Sequence, residues 1–131
     1  INELIKEHKL QKRVKIQGVL EETKLAELYG SSDLLISVSE FETFGMNIYD
    51  AVCGGLPVLA SNAGGTLYAV PDKNGILFDP SDDSEPANTL RKLFENESYY
   101  DELSMNIKNN LVTPESWAKI AGNFISRLNE L

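Results

Sequence analysis

Two stretches of the chain hold the residue types from which a site for an anionic ligand can be built. The first is Ser39-Glu40-Phe41-Glu42-Thr43-Phe44-Gly45-Met46, which follows a short apolar run and leads into a helical pattern. A loop that ends at a helix start leaves backbone N–H groups without intrahelical acceptors. Gly45 allows close approach of a ligand to the backbone, and the helix dipole favours an anion at that end. Together these features suit a phosphate. The second stretch is Gly64-Gly65-Thr66, where glycines again open onto a short helical pattern. Taken alone, such glycines mark a turn that needs positive φ. Two glycine-bearing helix starts on one sheet edge carry more weight than either by itself. Neither is a P-loop or a dinucleotide-binding glycine motif.

Seven residues separate Glu42 from Asp50. Eight positions are about two helical turns, a spacing that turns both carboxylates to one side. Carboxylates accept hydrogen bonds from sugar hydroxyls and can take two at once. Two of them flanking a phosphate-friendly helix start suit a nucleotide sugar. The spacing equally allows a plainer reading, in which Glu42 is a capping charge and Asp50 a solvated helix residue. Glu40 reads as a surface charge, and Cys53 as a small buried hydrophobe where a helix meets a strand. Trp117 reads as a core anchor of the last helix, and Tyr99-Tyr100 as a cover for the helical tail.

Short apolar runs alternating with helical patterns must position these residues. Residues 1–9 place Ile1, Leu4, Ile5 and His8 at helical spacing. Strands are predicted at 14–18, 33–38, 57–60 and 75–78. Helices are predicted at 21–29, with Leu25, Ala26, Leu28 and Tyr29 inward, and at 44–53, ended by Gly54-Gly55. A short helix is predicted at 66–70. Ser84 caps a tail helix, a second covers 98–109, and Thr113-Pro114 starts a third with Trp117, Ile120, Phe124, Ile125 and Leu128 on one face. This order predicts an α/β fold: a parallel sheet with helices on both faces and a helical C-terminal tail. Ligands of such sheets bind at the carboxyl edge of the strands, which here means the loops after Val38, Ala60 and Phe78.

The chain's 131 residues and 14.5 kDa amount to a single domain. Its 12 Lys and Arg against 20 Asp and Glu leave a net charge of −8, and no basic cluster offsets it. That balance argues against nucleic acid as a partner. No apolar run is long enough for a transmembrane helix. A single cysteine, Cys53, rules out an intramolecular disulfide, and with His8 as the only histidine a structural zinc site is excluded. The first residue is Ile1, mid-helix by pattern, and no signal-peptide pattern follows it. The expectation is a domain over 1–131 that is truncated at its N-terminal side.

The ordered motifs resemble a known family. They are Ser-x-x-Glu-x-Phe-Gly at Ser39 to Gly45, the acid Asp50, Ala51 to Val58 with its Gly54-Gly55 and Pro57, Ala-Ser-Asn-x-Gly-Gly at Ala60 to Gly65, and Asn-Gly-x-Leu-Phe-Asp-Pro at Asn74 to Pro80. The pattern is similar to the C-terminal, donor-binding domain of retaining GT-B glycosyltransferases of glycosyltransferase family 4. The resemblance implies a Rossmann-like domain that binds a nucleotide-diphosphate sugar as donor substrate, with no further cofactor and no bound metal. It implies that Glu42, the first acid of the family's paired-Glu motif, acts catalytically near the donor sugar. It implies that Phe44, Gly45 and Met46 turn backbone amides to sugar and phosphates, that Asp50 contacts the ribose, and that Gly64, Gly65 and Thr66 line the phosphate side. The implied reaction transfers a glycosyl group to an acceptor hydroxyl with retention at the anomeric carbon.

The sequence departs from the family in having Asp50 where a Glu is usual and Leu67-Tyr68 where Pro-Glu is frequent. The family's first strand of this domain, with its diphosphate-binding Arg and Lys, and the N-terminal acceptor domain lie outside the sequence. The chain alone is therefore expected to lack transferase activity and to bind nucleotide feebly at best. A catalytically silent module, used for binding or for stabilising a partner, is the competing reading. Self-association through an exposed sheet edge is a further expectation. The resemblance implies a cytoplasmic protein, with peripheral membrane attachment through the acceptor domain.

Overall fold

The computed structural model describes residues 1–70, 74–110 and 115–128. Its sheet has three parallel strands in the order β1 (Leu35–Ser37), β2 (Val58–Ser61) and β3 (Gly75–Phe78). The helices are α1 (Asn2–Glu7), α2 (Glu22–Gly30), α3 (Met46–Cys53), α4 (Thr66–Ala69), α5 (Glu85–Glu95), α6 (Glu97–Asn109) and α7 (Trp117–Leu128). Parallel pairing needs crossover connections, and α3 carries the chain from β1 to β2 as α4 does from β2 to β3. In register, Leu35, Val58 and Gly75 share one row, and Ser37, Ala60 and Leu77 another.

Side-chain alternation then separates two faces. On one, Val58 and Ala60 pack with Ile48, Ala51 and Val52 of α3, Ala69 of α4 and Val70 just beyond it, and Ile107 of α6. On the other, Leu59 and Phe78 are buried, while Ile36 of β1 is 45% exposed beside Leu90 and Leu93 of α5. Helix α6 is tied to the sheet at both ends. The Tyr100 hydroxyl donates to the Asp33 carbonyl at 2.9 Å, and Asn74 Nδ2 donates to the Asn110 carbonyl at 3.0 Å. Helix α3 ends as its sequence requires. Gly55 takes φ +77, its N–H bonds the Val52 carbonyl, and the Leu56 N–H bonds the Ala51 carbonyl. That pair of bonds satisfies the last carbonyls and turns the chain into β2.

The α/β reading and the strands near 33–38, 57–60 and 75–78 agree with the structure, and three details differ. The 14–18 segment is not a strand. Residues 11–19 are exposed, and no strand among the described residues lies along the outer edge of β1 to pair with them. Helix α3 starts at Met46 rather than Phe44, because Gly45 precedes it in the left-handed region at φ 80. Trp117 is 85% exposed, and no residue of α7 is buried. The apolar face of that helix was legible, but a periodic pattern does not reveal whether the chain supplies a surface to cover it. Thr113-Pro114 lie outside the described residues. In α2, Leu25, Leu28 and Tyr29 are half-buried and Ala26 is exposed.

Because the core lies on the α3 face, equal truncations on the two faces should differ in cost. Ile48→Ala should lower unfolding free energy by about 2–5 kcal/mol. Ile36→Ala, at a half-exposed edge position, should cost under about 1 kcal/mol. Urea denaturation of both variants checks this, and equal losses would contradict a core centred on α3.

Candidate functional site

The two glycine-bearing loops lie at the carboxyl ends of β1 and β2 and meet there, backbone against backbone. The Gly65 N–H donates to the Glu42 carbonyl at 2.7 Å. A Cβ on Gly64 would stand 2.3 Å from the Glu42 oxygen, and one on Gly65 would stand 2.1 Å from the Thr43 oxygen. No side chain fits in either gap. Gly64 also holds φ +54, a conformation that L side chains rarely adopt. The glycines thus act first on the neighbouring loop.

Glu42 is half-buried in this contact. Its Oε1 accepts from the Thr43 N–H at 3.0 Å and, more weakly, from the Phe44 N–H at 3.4 Å. The carboxylate therefore sits where an incoming anion or sugar oxygen would meet the same amides. Gly45 caps α3, and the first helical bond runs from the Tyr49 N–H to the Gly45 carbonyl at 2.8 Å. The amides of Met46, Asn47 and Ile48 thus precede the helical ladder. Met46 and Phe44 are exposed, and the Phe44 ring leans on Tyr49 at 5.7 Å between centroids and 48° between planes.

Asp50 is exposed one turn into α3. Glu42 precedes the helix, so the two-turn argument applies only to the part of the interval inside α3. The Tyr29 hydroxyl is raised above its ordinary pKa by burial and then by the negative charge of Asp50. Burial likewise pushes the Cys53 thiol up, and Asp50 adds to this against an opposing contribution from Tyr49. Thr66 is buried, and its hydroxyl donates to the Ala63 carbonyl at 2.9 Å. Its own amide is engaged by the same carbonyl at 3.2 Å. In this state Thr66 shapes the loop from inside and presents no hydroxyl outward.

Ser61 was missed by sequence reasoning. Its hydroxyl donates to the Ser39 carbonyl at 2.5 Å, across the gap between the ends of β1 and β2. A serine at the end of an apolar run reads as the first loop residue, and nothing local signals a partner 22 positions away. Residues 25–72 contain no Lys or Arg, so the charges of this segment are all acidic.

A parallel α/β sheet with glycine loops meeting at its carboxyl edge is a Rossmann-like architecture. A solved structure of Anabaena HepE in complex with UDP superposes with a TM-score of 0.80 at 26% identity, over 99% of this chain and 36% of that one. A second HepE structure, in complex with UDP-glucose, superposes at 0.77. The sulfoquinovosyl transferase SQD2 of Arabidopsis thaliana is 38% identical over 80 residues, which is 58% of this chain and 16% of that protein. The mannosylfructose-phosphate synthase of Agrobacterium fabrum is 30% identical over 105 residues, 79% of this chain and 23% of that protein. The chain thus spans a quarter or less of these curated relatives. The family profile described as Glycosyl transferases group 1 matches residues 1–110, and the chain belongs to that family.

The geometry sets the outcome of two substitutions. Gly65→Ala must separate the two loops and should destabilise the fold by about 1–3 kcal/mol or more. Gly54→Ala, with helical φ and nothing nearer than 3.4 Å, should be tolerated. Thermal melts of the pair separate these cases. Because the Cys53 pKa is raised, its thiolate is scarce at neutral pH. Iodoacetamide labelling should therefore be slow at pH 7 and rise with pH, with a midpoint above the roughly 8.5 of a free thiol. A midpoint at or below that value would contradict the burial account.

Proposed function

We propose that this domain holds the nucleotide-diphosphate-sugar donor for a retaining glycosyl transfer of the family 4 type. The observation that carries the proposal is the meeting of the Glu42 loop with Gly64-Gly65 at the carboxyl edge of the sheet, in a chain of this family. The UDP and UDP-glucose complexes of HepE support the ligand class. In this reading Glu42 faces the donor sugar. Amides from Phe44, Gly45 and Met46 face sugar and phosphate oxygens, Asp50 accepts from ribose hydroxyls, and Gly64-Gly65-Thr66 shape the phosphate side.

During transfer the bond from the anomeric carbon to the diphosphate breaks, a bond to the acceptor oxygen forms on the same face, and the acceptor's hydroxyl proton passes to the departing diphosphate. The departing diphosphate gains negative charge, which cations stabilise. Residues 25–72 provide none, so they must come from elsewhere in the protein. We read the acceptor side as the work of a further domain and assign no metal. The lone cysteine fits a cytoplasmic protein. Among the described residues no helix is long and apolar enough to cross a membrane.

Asp50 and Tyr68, where the family usually has Glu, fit a second reading, a non-catalytic module that keeps the fold and has lost the donor. An NMR-monitored titration with UDP, GDP, ADP and UDP-glucose decides between them. The donor reading expects shifts at Gly45, Met46 and Asp50 with one nucleotide. Asp50→Ala should weaken that binding about tenfold, the worth of one charge-assisted hydrogen bond. Glu42→Ala should weaken the sugar nucleotide more than the bare nucleotide. Spectra unchanged by every nucleotide, both in this chain and in a form extended upstream, would leave the silent module as the better account.

A further inference from the structure

We propose that Ser61 is a positioning residue: with Gly64-Gly65 it clamps the Glu42 loop at two points and sets the direction of Glu42. The functional meaning of the clamp rests on the donor-site reading, and its mechanical part does not. The loop from Ser39 to Glu42 is fastened at both ends to one stretch, from the last residue of β2 to Gly65. The Ser61 hydroxyl donates to the Ser39 carbonyl at 2.5 Å, and the Gly65 N–H donates to the Glu42 carbonyl at 2.7 Å. Only Glu40 and Phe41 lie between the anchored residues.

The holding stretch is itself secured. The Asn62 N–H bonds the Phe78 carbonyl at 2.8 Å, and the Ala63 carbonyl accepts from the Thr66 hydroxyl at 2.9 Å. Glu42 is therefore aimed from β2 and β3 as well as from helix α3.

The register shows why a side chain is needed. Pairing between β1 and β2 stops at Ser37 and Ala60, whereas pairing between β2 and β3 continues to Ser61 and Phe78. Past Ser37 the chain leaves the ladder to turn toward α3. A hydroxyl at the next position of β2 spans the widening gap and binds the carbonyl that the ladder no longer reaches. Ser61 is 1% exposed, so its hydroxyl needs this acceptor inside the protein. An alanine there would leave the Ser39 carbonyl without this donor while removing a single heavy atom. Ser61 borders a hollow shared with Val38, Phe78 and Pro80, and threonine keeps the hydroxyl.

The test is amide hydrogen exchange of the whole chain by NMR, on the unmodified protein, Ser61→Ala and Ser61→Thr, followed by titration with UDP-glucose. Ser61→Ala should speed exchange at Thr43 and Phe44 about tenfold while leaving Leu59 and Val52 unchanged. Ser61→Thr should restore slow exchange. Unchanged exchange at Thr43 and Phe44, or a uniform rise across the sheet, would overturn the clamp. With the loop loosened, UDP-glucose should bind more weakly to Ser61→Ala and normally to Ser61→Thr. Equal binding to all three would overturn the positioning role. If the unmodified protein binds no UDP-glucose, alone or extended upstream, although Ser61→Ala loosens the loop, the clamp stands and the donor reading falls.

Discussion

The structure depends on one strand, β2, being paired on both edges and buried on both faces. Val58, Leu59, Ala60 and Ser61 all lie inside the protein, between β1 and β3. The ladders to β1 and β3 supply the hydrogen-bond partners that burial demands, and the Ser61 carbonyl accepts from the Ala63 N–H at 2.9 Å. Val58 and Ala60 receive α3 on one side, and Leu59 fills the other. The fit extends to β3. A Cβ on Gly75 would stand 2.7 Å from a Val70 methyl and 2.8 Å from the Val58 carbonyl, so that strand begins without a side chain. The loop leaving β2 inherits this rigidity. The strand that is hardest to disturb supplies Ser61 and leads directly into Gly64 and Gly65, the residues in contact with the Glu42 loop.

That contact changes what the glycines mean. Read as sequence, Gly64-Gly65 allow either a turn or an open cradle for a ligand. In space they are the condition for two main chains to lie against each other, with Gly65 bonded to Glu42. The Glu42 carboxylate meanwhile folds back onto the Thr43 and Phe44 amides. A ligand that takes those amides exchanges with a carboxylate already there. Its net gain is therefore the difference between two hydrogen-bonded states, smaller than the amides would provide if bare. Such a loop discriminates by geometry more than by the number of donors it offers.

Much of this was legible in the residues. The three strands are short apolar runs bounded by breaks, and the end of α3 was readable from Gly54-Gly55. Glu42, Gly45 and Asp50 stood out because acids and a glycine cluster around a helix start. Ser61 was not legible, since its partner is distant in sequence and its position is where strand gives way to loop. The 14–18 segment and the apolar face of α7 failed for a common reason. Val14, Ile16, Trp117 and Phe124 have the spacing of elements that pack, yet all are exposed. Hydrophobic periodicity records what a segment could bury. Whether it buries anything depends on a surface elsewhere, which no local pattern encodes.

Charge sets the last constraint on the site. The whole chain carries −8, and the segment from the end of α2 through α4 contributes acids without a single Lys or Arg. A diphosphate brought to this edge meets backbone amides, a helix N-terminus and the carboxylates of Glu42 and Asp50. Helix ends contribute roughly 0.3–1 kcal/mol each toward an anion at an exposed site. That is too little to offset two nearby carboxylates and the desolvation of a multiply charged ligand. In the proposed donor reading, the segment's part is to orient a sugar nucleotide through its hydroxyls, by acceptance at Glu42 and Asp50. Capture of the diphosphate calls for cations brought from other parts of the protein. In that reading orientation and capture are separate tasks, and this sheet edge takes the first.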